Sequence, residues 1–535
     1  MLDQSKLRDF QAGGRSLAYG SKAMVATSHP LASLAANECL AAGGNAVDAA
    51  IVASAILCVV EPQSTGIAGD CFALLKVGDK PIVGFNGSGY AGSKANVDDL
   101  LAEGLSEIDY TTGKAVTVPG AIDAWDRLLK DYGTMSLAEA LKPAQKIAAE
   151  GFIVLPRVAF DWQRAEARLR NRAGSQKHLL VDGKAPLQGT LFKSVGLAAA
   201  LQMIIDKGRD GFYKGAVAEE IIDTLDAEGG LLTLADLADY EGEYVTPIKG
   251  TYKGHDIYEI PPNGHGVTAL ILLNILAKFD MTKYAADSAE RHHIHMEATR
   301  FAYALRDKYV ADPKFADVPV DGLLSDEVAT MIAAQINLDK KVDEHILPEL
   351  PKSDTITLSV VDGDGNAISF INSVFMAFGT GIVTDRFGVS LQCRGAGFTL
   401  ERGHPNQIEP RKRPMHTIIP AMLEKDGELK MAFGVMGGAY QPCGHAFFLS
   451  NVLDYGMDIQ AAIDFPRMFM EGEKLAVENT IGEKLRADLQ NKGHEVFEVE
   501  TPWGGAQVVE ICRNADETLF KGASDPRKDG IALGL

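Results

Sequence analysis

Cysteine is scarce and scattered in this chain. The six, at 39, 58, 71, 393, 443 and 512, include no CxxC pair. That spacing supports neither a zinc site nor a disulfide framework, and free thiols in a reducing compartment account for it. Positive charge is also short, since 52 Lys and Arg stand against 72 Asp and Glu, for a net charge of −20 at pH 7. An acidic surplus of this size disfavours nucleic acid or anionic lipid as a general partner, although a local basic pocket remains compatible with it. Long hydrophobic runs are missing too. The longest, Ala46 to Val60, is interrupted by Asp48 and is too short to span a membrane. The start, MLDQSKLRDFQAGGRS, is polar and charged and has no apolar h-region, so the expected location is cytoplasmic.

What is present is a large apolar fraction, 46% over 535 residues, enough for a substantial core and for two to four domains by length. Residues 23 to 84 read strand, helix, helix, strand. One helix starts near Pro30 and stops at Gly43-Gly44, and Asn45 caps a second that runs to Val60. The alanine content of the second fits a close-packed, buried helix. A glycine-punctuated loop, Glu61 to Asp70, leads into Phe72-Ala73-Leu74-Leu75. From about 120 to 350 the pattern is mostly helical, over 121–133, 136–150, 196–207, 216–228, 265–279 and 288–307. The charged segment from Asp339 to Glu349 reads as an exposed connector.

Beyond it lies the most informative stretch. Residues 354–362, DTITLSVVD, then the turn formers Gly363-Asp364-Gly365-Asn366, then 367–373, AISFINS, predict a β-hairpin. Alternation sets Thr355, Thr357 and Ser359 on one face and Ile356, Leu358 and Val360 on the other. A hydroxyl is a weak nucleophile at neutral pH unless a base takes its proton, and the amine of a chain-terminal threonine can be that base. Thr355 would gain such an amine only if the bond from Asp354 were cut.

The run SDTITLSVVDGDGNAISFINSVFMAFGTGIV resembles the start of the small subunit in the γ-glutamyltransferase family of N-terminal-nucleophile hydrolases. GGNAVDAA and EPQSTGIAGD resemble that family's large-subunit signature. The resemblance implies an α+β fold, a four-layer αββα sandwich, and a precursor that cuts itself between Asp354 and Thr355. Residues 1–354 would form a large subunit and 355–535 a small catalytic one, the two composing a single αββα unit. It further implies Thr355 as nucleophile and amine base, Ser373 and Thr357 as orienting hydroxyls, and Gly437 and Gly438 as an oxyanion hole. No cofactor and no metal are implied. The partners would be a small-molecule substrate and the two fragments of one precursor, with no nucleic acid and no membrane; a higher homo-oligomer stays open.

Departures from the family pattern bear on the substrate. Where the family grips an α-carboxylate with arginine, this chain has Asn86 or a near neighbour. Where it grips an α-amine with an Asp-Asp pair, this chain has Ala396-Gly397 before Phe398. A cationic amine needs an acid beside it to offset desolvation, so the loss argues against an amino-acid head group. Arg394 instead offers a planar fork that can hold a carboxylate. His416 and Thr417 replace a serine pair and are further substrate-binding candidates.

The set LQCRGAGF, GHPN, RPMHTIIP and GGAYQPCGH resembles the branch that includes oxamate amidohydrolases and acylase-like members. The expected activity is hydrolysis of a linear amide next to a carboxylate, with oxamate to oxalate and ammonia as the specific candidate. The alternatives are γ-glutamyl hydrolysis or transfer on glutathione-like substrates, an acylase, and a metal-dependent hydrolase on His292, His293, His295 and Glu297. Lacking a third ligand or an HExxH pattern, that last cluster reads as a helix with surface histidines. Gly87 to Gly92 matches GxGxxG, but the next helix begins only after Asn96, too late to meet a pyrophosphate. Asp362 to Asn366 reads as a turn and not a calcium loop, because the required glycine and closing positions hold Ala367 and Ser373.

Overall fold

Two seven-stranded sheets carry the chain. A computed structural model describes residues 14–342, 356–514 and 517–535. In the first sheet the strands run, edge to edge, Ile531–Gly534, Met24–Thr27, Ile356–Val361, Ala367–Ser373, Asp70–Lys76, Val83–Gly87 and Glu243–Val245. In the second the order is Ala18–Gly20, Thr518–Ser524, Gly505–Arg513, Glu428–Met436, Ala421–Lys425, His255–Glu259 and Ile248–Tyr252. All their pairings are antiparallel.

Strand alternation divides the core into layers. Val25, Leu358, Val360, Ile368 and Phe370 face a helical layer dominated by Ala46–Val60, of which every residue is buried. Met24, Ala26, Phe72, Leu74 and Ile371 point the other way and meet Met422, Ala432, Val509 and Phe520 of the second sheet. The far face of that sheet, with Phe433, Val435 and Val508, packs on the helices Gly266–Leu276, Ala289–Tyr309 and Gln441–Leu453. The result is the expected αββα sandwich.

The helices Pro30–Ala41 and Ala46–Val60 form as the sequence predicts, the second opened by a capping box between Asn45 and Asp48. The hairpin also forms, with Ile356 opposite Asn372 and Val361 opposite Ala367. Its turn consumes the Asp362 carboxylate, which accepts from the amides of Asp364, Asn366 and Ala46.

Between 243 and 259 the chain differs from the helical expectation. Three short strands form there: Glu243–Val245 is an edge of the first sheet, Ile248–Tyr252 an edge of the second, and His255–Glu259 lies next to that second edge. The glycines of GxGxxG serve close packing: a Cβ on Gly89 would stand 1.5 Å from the Val118 carbonyl oxygen, and one on Gly92 2.0 Å from that of Leu231. All six cysteines are free thiols. Among the described residues no helix is long and apolar enough to cross a membrane.

Candidate active site

The expected cut and nucleophile, Asp354 and Thr355, lie outside the described residues. The site is therefore built from what surrounds the first described residue after them, Ile356. Its strand partner Asn372 is held by the Glu61–Asp70 loop, donating to Thr65 Oγ1 at 2.7 Å and to the Gly66 carbonyl at 3.1 Å. Gly69 is obligatory here, since a Cβ on it would meet the Ser373 carbonyl oxygen at 2.4 Å. Ser373 follows Asn372, and its Oγ accepts from the amide of Phe375 at 2.9 Å.

Arg394 reaches this hydroxyl from the 3-10 turn Arg394–Gly397. Nη2 stands 3.5 Å from Ser373 Oγ, Nη1 donates to Thr417 Oγ1 at 2.7 Å, and the guanidinium lies 4.1 Å from the centre of the Phe375 ring. Phe375 holds that position with φ +77°, a region bulky residues rarely enter. Arg394 is completely buried, and among the described residues Nε finds no hydrogen-bond acceptor. Burial lowers its pKa to about 10, so it remains a cation at neutral pH with donors to spare.

The facing anion is Asp70, the last residue of the loop, with Oδ2 3.8 Å from Arg394 Nε. Asp70 accepts from the Gly89 amide at 3.0 Å, from Gln392 Nε2 at 3.0 Å and from His416 Nε2 at 2.9 Å. Burial pushes its carboxyl up to about 7 against the pull of Arg394 and these donors. Burial and the adjacent Arg394 keep His416 well below its ordinary pKa; the neutral ring donates through Nε2 and accepts from the Ile418 amide through Nδ1. The backbone of His416 and Thr417 is fixed from the segment before Gly266–Leu276, by a 2.8 Å bond to the Asn263 carbonyl and a 2.8 Å bond from His265 Nε2 to the Thr417 carbonyl.

Gly437 and Gly438 follow the strand Glu428–Met436 and open the helical segment that continues into Gln441–Leu453. Both take positive φ, +125° and +56°, and neither amide N–H has an acceptor among the described residues. Two unspent N–H groups at a glycine turn can bind a developing oxyanion.

The structure thus gathers Ser373, Arg394, Thr417 and, one layer behind, His416. Asn86 stands further back, donating to Asn263 Oδ1 at 2.9 Å and accepting from the Ser88 amide at 3.0 Å, and Asn263 links it to the backbone of His416. Thr357 is buried between the sheets, with no partner for its hydroxyl among the described residues, against Gly434, where a Cβ would lie 2.2 Å from Oγ1. Ala396 and Gly397 line a cavity of about 330 Å³ together with Thr417, Phe375, Arg306 and Ala439. Asp70, Gln392 and Phe375 are members that sequence reasoning missed. The position of Asp70 at the end of the glycine-punctuated loop was the available signal.

The histidine cluster needs correction. His292, His293, His295 and Glu297 are wholly buried, not on the surface. His293 accepts from or donates to His494 at 2.8 Å and bonds the Asn337 carbonyl at 2.7 Å, while Glu297 pairs with Arg300 at 3.0 Å. Among the described residues no group of three or more His, Cys, Asp or Glu is placed to hold a metal ion.

Comparison with known proteins agrees with the fold. The family profile described as Gamma-glutamyltranspeptidase matches residues 32–535. The chain is 37% identical over 527 residues to the Glutathione hydrolase-like YwrD proenzyme of Bacillus subtilis (strain 168), covering 96% of this chain and 99% of that protein. It is 32% identical over 525 residues to the Oxamate amidohydrolase proenzyme of Klebsiella pneumoniae subsp. pneumoniae, covering 96% and 98%. Among solved structures it superposes on the cephalosporin acylase from Bacillus halodurans with a TM-score of 0.91 and 37% identity, over 100% of this chain and 99% of that one.

Proposed function

The chain belongs to the gamma-glutamyltranspeptidase family and is an amide-bond hydrolase of the self-cleaving, N-terminal-nucleophile kind, and from that premise we propose that it hydrolyses the amide of a small substrate bearing a carboxylate, with oxamate as the specific candidate. The observation that carries this reading is Arg394, a buried cation whose side-chain hydrogen bonds among the described residues go to the hydroxyls of Ser373 and Thr417, with its facing carboxylate, Asp70, no nearer than 3.8 Å. A substrate carboxylate there would complete the partnership that burial demands.

In the proposed reaction the bond between Asp354 and Thr355 is cut first, giving fragments 1–354 and 355–535. The new amine of Thr355 takes the proton of its own hydroxyl as Oγ attacks the amide carbon. Gly437 and Gly438 N–H groups stabilise the resulting oxyanion. Its collapse breaks the C–N bond, the amine leaves with the proton, and an ester to Thr355 remains. Water, deprotonated by the same amine, then releases the acid. Ser373 and Thr357 orient the nucleophile, and Arg394 and Thr417 hold the carboxylate. For oxamate the products are ammonia and oxalate.

A second reading, an acylase for longer acyl groups, is favoured by the cavity beside Thr417. About 330 Å³ falls in the range of about 300–1,000 Å³ typical of sites that enclose a drug-sized ligand, and gives more room than oxamate fills. The test is a substrate panel on cleaved enzyme: ammonia from oxamate, ammonia from a neutral amide of similar size, longer carboxylate amides, and glutathione. Preference for the carboxylate amides supports the proposal. Glutathione turnover without carboxylate-amide hydrolysis, or equal rates on charged and neutral amides, overturns it.

A further inference from the structure

The glycine turn at Gly437 and Gly438 leads into the helix Gln441–Leu453 across a break in the hydrogen-bond ladder. In an unbroken helix the Cys443 amide would donate to the Ala439 carbonyl, four residues back. Here the Tyr303 hydroxyl stands between the two. It donates to the Ala439 carbonyl and accepts from the Cys443 amide at 3.4 Å. A side chain that enters the ladder in this way holds it open and redirects the chain ahead of it. The helix accordingly starts only at Gln441, and Gly438–Tyr440 keeps a separate, tighter 3-10 turn, with the Tyr440 amide on the Gly437 carbonyl at 3.1 Å.

Tyr303 is itself firmly held. It belongs to Ala289–Tyr309, in the helical layer behind the second sheet, and is fully buried. Its ring meets Phe469 edge-on, with centroids 5.7 Å apart, and the Arg306 guanidinium lies 4.5 Å from its centre. Burial raises the pKa of its hydroxyl well above the ordinary value, so the group keeps its proton, and its role as donor, at any working pH. The other side of the turn is held independently, since a Cβ on Gly437 would stand 3.0 Å from Gly504 Cα. With that side fixed, the pitch of the short turn, on which the directions of the Gly437 and Gly438 N–H groups depend, is set from the side of Tyr303.

We propose that Tyr303 is a positioning residue for amide hydrolysis: its inserted hydroxyl keeps the glycine turn from winding into the helix behind it and so aims the Gly437 and Gly438 N–H groups at the developing oxyanion. The inference rests on the reading of that turn as the oxyanion site. Removing the hydroxyl has a particular consequence. Ala439 and Cys443 are ordinary ladder partners, so in Tyr303→Phe they bond to each other and neither is orphaned. Stability changes little, whereas the turn is drawn towards helical geometry and its N–H groups swing away from the reacting carbonyl. Catalysis and stability therefore separate, which loss of a merely structural bond would not produce.

The experiment measures kcat and KM for oxamate and for glutathione, together with the melting temperature, in self-cleaved wild-type, Tyr303→Phe and Gly438→Ala enzyme. For Tyr303→Phe the expected result is a kcat about tenfold lower, short of the roughly 10²–10³-fold that follows loss of an oxyanion donor outright, with KM within about twofold and the melting temperature within about 2 °C. Gly438→Ala, which forces a methyl group onto φ +56°, should lower kcat as well. Binding supplies a second readout. The boron of 2-carboxyethylboronic acid becomes tetrahedral on bonding the Thr355 hydroxyl oxygen, whose proton passes to the Thr355 amine, while succinate stays planar. Tyr303→Phe should bind the boronic acid about tenfold more weakly and succinate as wild type does. Wild-type kcat in Tyr303→Phe beside a reduced kcat in Gly438→Ala overturns the role of Tyr303 and leaves the oxyanion site standing; wild-type kcat in both overturns the oxyanion reading and the role of Tyr303 with it. Equal losses of boronic acid and succinate affinity, or a lower melting temperature with kcat unchanged, would show the hydroxyl to be structural only. If glutathione alone is turned over and Tyr303→Phe lowers its kcat, the carboxylate-amide reading of Arg394 fails while the positioning role of Tyr303 stands.

Discussion

The central residue is Arg394, and its chemistry is set by what it lacks. Among the described residues, Nη1 rests on Thr417, Nη2 lies at the edge of reach of Ser373, Nε has no acceptor and Asp70 stands at 3.8 Å, so the guanidinium is held in place but not neutralised at contact distance by them. Arg394→Lys keeps the charge and loses the planar fork. It should lower kcat/KM for a carboxylate amide by about 10–100-fold while self-cleavage, which involves only the chain's own peptide bond, proceeds. Gel analysis and amine release on one preparation check both. A second expectation follows from Asp70, whose carboxyl is pushed from its ordinary value up to about 7 by burial. Below that pH it is mainly protonated and Arg394 faces the substrate as an uncompensated cation; above it the ionised Asp70 competes, so KM for a carboxylate substrate should rise as pH passes through about 7. In stability the sign is fixed by the same shift. Between the unfolded value and about 7 the folded protein retains a proton that the unfolded chain has lost, so the contribution is full at low pH and declines as pH rises towards 7. Asp70→Asn should flatten the KM profile, and a profile of KM and kcat measured separately distinguishes this from titration of the Thr355 amine, which moves kcat.

Among the elements, the hairpin Ile356–Ser373 carries the site because it is central in its sheet and presses Thr357 against the second sheet. The contact at Gly434 leaves no room for a methyl group, 2.2 Å from Thr357 Oγ1. Gly434→Ala should cost about 1–3 kcal/mol by overpacking and lower the melting temperature, and Thr357→Ala in the same chain should recover some of the loss. Additive effects in thermal unfolding of the two single variants and the double would contradict this packing. The hairpin, its turn and the two helices before it were legible because period-two and capping signals are local. The strands between 243 and 259 were not. Glu243–Val245 and Ile248–Tyr252 are short, half-exposed edge strands, and His255–Glu259, one strand in, pairs with Ala421–Lys425, far along the chain. The histidines of Ala289–Tyr309 were misjudged for a related reason. Their polarity reads as surface, yet they are neutral when desolvated, and the partners of His293 come from residues 337 and 494.

For the whole molecule, strands from before and after position 354 interleave in both sheets: Ile356–Ser373 lies between Met24–Thr27 and Asp70–Lys76, and Ala421–Lys425 between Glu428–Met436 and His255–Glu259. Cutting such a chain would leave two fragments bound through shared sheets and a shared core, so cleavage should yield pieces of roughly 38 and 19 kDa that co-elute. The family and its fold could be read from the sequence because the motifs of hairpin and loop are contiguous; the anion network of Asp70, Gln392, His416 and Arg394 could not, because folding brings it together from segments more than 300 residues apart. The proposed mechanism turns on Thr355, once freed, being both nucleophile and base. N-terminal sequencing of the small fragment from active enzyme, alongside Thr355→Ala, decides the matter. The expected fragment begins Thr355-Ile356-Thr357, and the Thr355→Ala chain should stay whole and inactive; a different N-terminus in active enzyme, or activity in the uncut chain, would refute the mechanism.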